Sequence, residues 1–82
     1  TPEWLRELPP LLRHILKEGM GVQQDRSAWL YYIACKCRDE GMSPEATLTF
    51  VQTADALHAD KYRHRGDAEE RYAEMIGRVF SV

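Results

Sequence analysis

The stretch DRSAWLYYIACKCRDEGMSPE, residues 25–45, decides the fold because it contains one complete helix and the start of the next. The first helix is predicted to begin at Asp25 or Arg26, to run to Glu40 and to end at Gly41. Its apolar residues recur at helical spacing, which predicts a central helix with one buried side. The residues expected on that side are Leu30, Ile33, Ala34 and Cys37, with Trp29, Tyr31 and Tyr32 widening the buried arc.

The end of this stretch begins a second helix. Ser43 is a preferred N-cap residue, Pro44 suits the first helical position, and Glu45 places a negative charge in the first turn. Together they predict a helix start at this point. The apolar residues of the helix are Leu48, Phe50, Val51, Ala54 and Leu57.

The N-terminal part of the chain predicts a helix that Pro10 begins and that Gly19 and Gly21 stop. Its apolar stripe consists of Leu11, Leu12, Ile15 and Leu16. The Pro9-Pro10 pair separates it from a shorter helix, since proline restricts its own backbone and that of the preceding residue. This short helix is opened by Thr1 and Pro2 and carries Trp4, Leu5 and Leu8 on one face.

The C-terminal part predicts a last helix opened by Asp67-Ala68-Glu69-Glu70, which resembles a capping box built on Asp67 and Glu70. Gly77 within it is expected to allow close helix approach. The apolar residues of this helix are Ala68, Tyr72, Met75, Ile76, Val79 and Phe80. Because no period-two alternation occurs, we predict an all-α fold, a small single-domain bundle of four main helices plus the short N-terminal helix.

Length, charge and cysteine usage narrow the functional classes. The 82 residues suffice for one domain, and since the chain begins at Thr1 we expect that domain to belong to a longer polypeptide. The net charge of −2 does not attract polyanions, so any nucleic-acid binding must come from a local patch. No apolar stretch is long enough to cross a bilayer. Cys35 and Cys37 are expected to be free thiols in a reducing compartment.

The strongest such patch is Lys61-Tyr62-Arg63-His64-Arg65, in which cationic side chains alternate with rings. Nucleic acids require cations for their phosphates and rings for their bases, so the cluster favours nucleic-acid binding. The alternative is a solvated surface loop whose charges pair with Glu69, Glu70 and Glu74 in the next helix.

Residues 9–80 resemble a known family in the order of their helix signals. The matching segments are the Leu-Pro-Pro start, Arg26-Ser27 opening a helix with Tyr32-Ile33-Ala34-Cys35, the segment from Arg38 to Ala46, and the final helix ending Ile76-Gly77-Arg78-Val79-Phe80. This order is similar to the helical C-terminal domain that follows the catalytic core in primases and primase-polymerases of phages, plasmids and mobile elements. Its motifs mark helix ends rather than catalytic chemistry.

The resemblance implies a cytoplasmic, non-catalytic accessory domain in a prokaryotic or phage-infected cell. Its expected partners are the single-stranded DNA template, a nucleoside triphosphate and the catalytic primase domain of the same polypeptide, with no membrane. ATP or another nucleoside triphosphate with Mg²⁺ is its expected ligand, and no cofactor is otherwise assigned. The expected binding residues are Arg26, Lys61, Tyr62, Arg63, His64, Arg65, Arg71 and Arg78. Arg71 and Arg78 share a face of the last helix and could instead pair with Glu74.

Two other functions remain open. One is a helix-turn-helix protein that reads duplex DNA through Thr47, Thr49, Gln52 and Thr53, although residues 44–58 contain no Lys or Arg to neutralise phosphates. The other is a protein-interaction module that recruits a helicase or another replication partner. Catalysis by this chain is not expected, because it holds no nucleophile-base pair, no phosphate-binding Gly-rich loop and no metal-ligand motif.

Overall fold

The computed structural model describes residues 6–21, 25–60, 62, 64 and 66–81. These ranges contain four helices and no strand, which confirms the all-α class. The helices are α1 (Pro10–Glu18), α2 (Arg26–Asp39), α3 (Pro44–Ala54) and α4 (Ala68–Phe80), and a single π-helical turn (Asp55–Ala59) continues α3. The short N-terminal helix falls largely outside the described residues, although Arg6 and Glu7 are helical and Leu8 is buried.

Two predicted helix starts and one predicted helix end are formed by the residues that the sequence indicated. The Asp25 side chain accepts a hydrogen bond from the Ala28 N–H at 3.0 Å, and the Ser43 hydroxyl accepts one from the Ala46 N–H at 3.2 Å. Gly41 follows α2 with φ of 85°, a left-handed conformation that favours glycine. These caps satisfy amide groups that would otherwise have no intrahelical partner.

Helix α2 is central because it contacts each of the other three helices, while α3 also contacts α4. Its buried residues are Trp29, Leu30, Ile33, Ala34 and Cys37. An arginine near each end of α2 hydrogen-bonds to a neighbouring segment. At the start, the Arg26 guanidinium donates to the Ala59 carbonyl at 3.1 Å. In the last turn, the Arg38 guanidinium donates to the Val79 carbonyl at 2.9 Å. The two arginines therefore satisfy C-terminal carbonyls of the α3–π segment and of α4.

Four expectations about burial and helix ends are wrong. Tyr31 and Tyr32 are 41% and 50% exposed, because each lies about 130° around α2 from the middle of the buried arc, which runs from Trp29 to Ala34. Gly77 is exposed, and among the described residues no other element lies within 4 Å of the position that a Cβ would take there, so it does not mediate helix approach. The Asp67 side chain makes no cap hydrogen bond to α4 and instead forms an ion pair with Arg71.

The fourth wrong expectation concerns Leu57, which is 62% exposed although α-helical spacing placed it in the core. The π-helical turn adds a residue to the helical repeat, so the buried positions after Ala54 become Asp55 and Ala59. Leu57 consequently points to solvent. Asp55, the first residue of that turn, is still in register with Val51 four residues earlier and is buried.

Candidate functional site

A groove of about 240 Å³ lies between α2, α4 and the segment that precedes α4. Ser27 and Tyr31 line it from α2, where their spacing of four residues puts them on one face. The remaining lining residues are Tyr62, Arg71, Glu74, Met75 and Arg78. Three residues expected to bind nucleic acid, Tyr62, Arg71 and Arg78, thus share one concave surface.

Tyr62 forms part of the groove wall and is held at three points. Its hydroxyl lies 2.8 Å from the Ser27 hydroxyl, and its N–H donates to Asp55 Oδ2 at 3.0 Å. Its ring packs edge-to-face on Tyr72 with a centroid separation of 6.0 Å. The ring is therefore half-buried and fixed. From the sequence, Tyr62 was expected to stack on a nucleic-acid base, because it is the tyrosine among the cations of residues 61–65.

Asp55 organises this side of the groove from within the protein. Its carboxylate is fully buried and accepts hydrogen bonds from the Tyr62 N–H and from the Tyr72 hydroxyl. The Asp60 N–H donates to the Asp55 carbonyl, and Asp60 itself has φ of 49°, which ends the π-helical turn. A buried carboxylate needs such donors to offset its lost hydration.

Asp55 was not among the residues expected from the sequence to form a site. The available signal was its position four residues after Val51, on the buried stripe of α3. A carboxylate on such a stripe requires buried donors.

Arg71 and Arg78 form ion pairs with carboxylates of α4 or of Asp67, the residue that precedes this helix. Arg71 Nε lies 3.2 Å from Asp67 Oδ2, and Arg71 Nη1 lies 3.6 Å from Glu74 Oε2. Arg78 Nη2 donates to Glu74 Oε1 at 3.2 Å. Side-chain exposures of 41% for Arg71, 47% for Glu74 and 71% for Arg78 leave these pairs hydrated, so each contributes little to stability. An anion entering the groove can compete for both guanidiniums.

Arg26 and His64 lie outside the groove and meet at Asp60. Besides its bond to Ala59, the Arg26 guanidinium donates to the Asp60 carbonyl at 3.3 Å. His64 is exposed, with Nε2 3.2 Å from Asp60 Oδ1. The Asp25 carboxylate, whose negative charge would oppose anion binding at Arg26, caps the start of α2 instead. Lys61, Arg63 and Arg65, three further predicted site residues, lie outside the described residues.

Tyr31 is the groove residue whose role the sequence obscured. Its ring is 41% exposed and lines the groove together with the two arginines. The sequence assigned it to the core because apolar and aromatic residues surround it on α2. A signal was available in Ser27, whose polar side chain lies four residues earlier on the same helical face.

Of the three threonines proposed to read duplex DNA, one is buried and two hydrogen-bond to carbonyls of their own helix. Thr47 is fully buried. The Thr49 hydroxyl donates to the Glu45 carbonyl at 3.2 Å, and the Thr53 hydroxyl donates to the Thr49 carbonyl at 2.9 Å. Thr49 and Gln52 are nevertheless exposed, so what disfavours duplex readout by α3 is still the lack of Lys and Arg in residues 44–58.

The described residues contain neither a metal-ligand cluster nor a membrane-spanning helix. Within residues 6–21, 25–60, 62, 64 and 66–81, no three His, Cys, Asp or Glu side chains are grouped as metal ligands would be. None of the helices in those ranges has the length and apolarity that a membrane span requires. Cys35 and Cys37 are both free thiols, and burial raises the pKa of Cys37 to about 12.

Comparison of the chain with protein-family models, curated proteins and solved structures found no match. The similarity to primase helical domains therefore rests on the helix signals in residues 9–80.

Proposed function

We propose that this chain is the helix-bundle accessory domain of a DNA primase or primase-polymerase. In this proposal it binds single-stranded template DNA and the initiating nucleoside triphosphate, and a separate catalytic domain forms the phosphodiester bond. The observation that carries the proposal is the groove, where Tyr31, Arg71 and Arg78 combine an exposed ring with two guanidiniums. Template strand and triphosphate share phosphates and bases, and so need both kinds of side chain.

The charge distribution supports a local and weak interaction. The net charge of −2 gives no long-range attraction to DNA, so affinity must come from contacts within the groove and its surroundings. Lys61 and Arg63 flank the groove residue Tyr62 in sequence, and Arg65 follows two residues later. The proposal includes these three cations as further phosphate contacts, with Arg26 and His64 in supporting positions near Asp60.

The test is fluorescence anisotropy of a labelled single-stranded oligothymidylate titrated with the chain at low and moderate salt, with a parallel ATP–Mg²⁺ titration. The double variant Arg71→Ala/Arg78→Ala should bind the strand about tenfold more weakly. Its salt slope should fall by about 1.4, since each single-strand phosphate contact contributes about 0.7. Lys61→Ala/Arg63→Ala should weaken binding in the same way.

The matched control is Arg13→Ala/Lys17→Ala, which removes the same charge from the exposed face of α1, away from the groove lining. It should bind the strand as the unmodified chain does. Equal losses in the control and the groove variant would show that the groove is not the site. No binding to strand or ATP at low salt would refute the proposal in favour of partner recruitment, and tighter binding to a duplex would favour the helix-turn-helix alternative.

A further inference from the structure

Glu74 occupies the position between the two groove arginines. Its Oε1 accepts from Arg78 at 3.2 Å and its Oε2 lies 3.6 Å from Arg71, so each oxygen faces a different guanidinium. A phosphate group presents oxygens to two cations in the same manner. The carboxylate thus fills the place that a bridging phosphate would need.

We infer that Glu74 is an intramolecular competitor of phosphate that sets the affinity and the salt dependence of the groove. This inference rests on the proposed function, because it assumes that a phosphodiester or triphosphate enters the groove. Arg71, Arg78 and the carboxylates of Asp67 and Glu74 are two positive and two negative groups in one cluster. A ligand phosphate must displace Glu74 to reach both arginines.

The geometry also indicates which anions the groove selects. Glu74 is 47% exposed, so it can move into water when an anion replaces it. Chloride has no pair of oxygens with which to replace both contacts that Glu74 makes. A phosphate can replace both through two of its oxygens, so the Glu74 contacts favour phosphate over chloride.

The experiment compares Glu74→Gln, Glu74→Asp and Glu45→Gln with the unmodified chain. Glu45→Gln is the matched control, since it removes one negative charge from an exposed residue outside the groove lining. Labelled oligothymidylate is titrated at several salt concentrations, and thermal unfolding is recorded for each variant. Glu74→Gln should bind about three- to tenfold more tightly than Glu45→Gln, because two exposed ion pairs no longer compete.

The salt slope separates competition from a merely structural role. In Glu74→Gln it should become steeper by up to about 0.7, because strand binding no longer displaces a carboxylate that takes up a cation from solution. Glu74→Asp keeps the charge and should stay close to the unmodified chain. Equal affinity and slope for Glu74→Gln and Glu45→Gln, with the unmodified chain still binding, would overturn this inference alone. Absence of binding by every variant would overturn the proposed function with it.

Discussion

Asp55→Ala should destabilise the protein more than any exposed substitution, because it removes the buried acceptor that joins α3, the segment at Tyr62 and α4. The Tyr62 N–H and the Tyr72 hydroxyl both donate to Asp55 Oδ2, and the Asp55 side chain is fully buried. Alanine leaves both donors without that acceptor in a region from which water is largely excluded. The substitution therefore tests whether the π-helical turn and its carboxylate fix the groove wall.

The expected loss is about 3–5 kcal/mol in the free energy of unfolding, since each unsatisfied donor costs about 1–3 kcal/mol and hydrogen bonds to a charged group lie at the upper end. An 82-residue domain at about 0.05–0.15 kcal/mol per residue has a total stability of about 4–12 kcal/mol. Asp55→Ala should thus remove about a quarter or more of the stability. Asp55→Asn should cost less, because its amide oxygen can still accept both hydrogen bonds.

Urea unfolding followed by circular dichroism measures these losses, and a double-mutant cycle with Tyr72→Phe isolates the shared hydrogen bond. Tyr72→Phe alone should cost about 1.5–3 kcal/mol, but close to zero when Asp55 is already alanine. Asp39→Ala removes an exposed carboxylate paired with Arg38 at 3.3 Å and should change stability by about 0.5 kcal/mol or less. A loss below about 1 kcal/mol for Asp55→Ala, or additive costs for Asp55→Ala and Tyr72→Phe, would refute the reasoning.

Three further predictions concern local features. Gly19→Ala should destabilise the protein by at least about 1 kcal/mol more than Gly21→Ala: both have positive φ, but only at Gly19 would a new Cβ lie 2.6 Å from His58 Nδ1. Equal urea midpoints would contradict this. Gly77→Ala should raise stability by about 0.5–1 kcal/mol, as it fills open space within a helix, and a lower melting temperature would show an unrecognised contact. Iodoacetamide should modify Cys35 but not Cys37 in the folded protein, because burial raises the pKa of the Cys37 thiol from 9.0 to about 12. The stability that the neutral Cys37 thiol contributes is present below pH 9 and is lost as the pH rises toward 12. Equal labelling of both thiols, read by mass spectrometry, would contradict that burial.

The helices were predictable because their signals are local. The caps at Asp25 and Ser43 depend on residues within one turn, and Gly19 and Gly41 adopt positive φ where the sequence ended a helix. The buried stripe of α2 also followed from spacing within the helix. The exposure of Leu57 did not follow, because a π-helical turn changes the repeat on which the prediction was based.

The site was predictable only in part. Arg71 and Arg78 were expected on one face of the last helix, and the structure places both in one groove. Both arginines also form the alternative ion pairs with Glu74. Arg26 was expected to attract phosphate, yet its guanidinium donates to two carbonyls at the end of the α3–π segment. Such contacts join residues more than thirty positions apart, a distance at which spacing patterns carry no information.

By itself, the sequence determined the all-α class, the ends of the main helices and the concentration of cations before and within α4, since each depends on neighbouring residues and their backbone preferences. Only the tertiary structure decided that Tyr31 faces a groove, that Tyr62 is fixed beside Tyr72, and that Glu74 bridges two arginines in that groove. The physical reason is that burial and hydrogen-bond satisfaction are settled between helices. A buried carboxylate such as Asp55 finds its donors only after the chain has brought distant segments together.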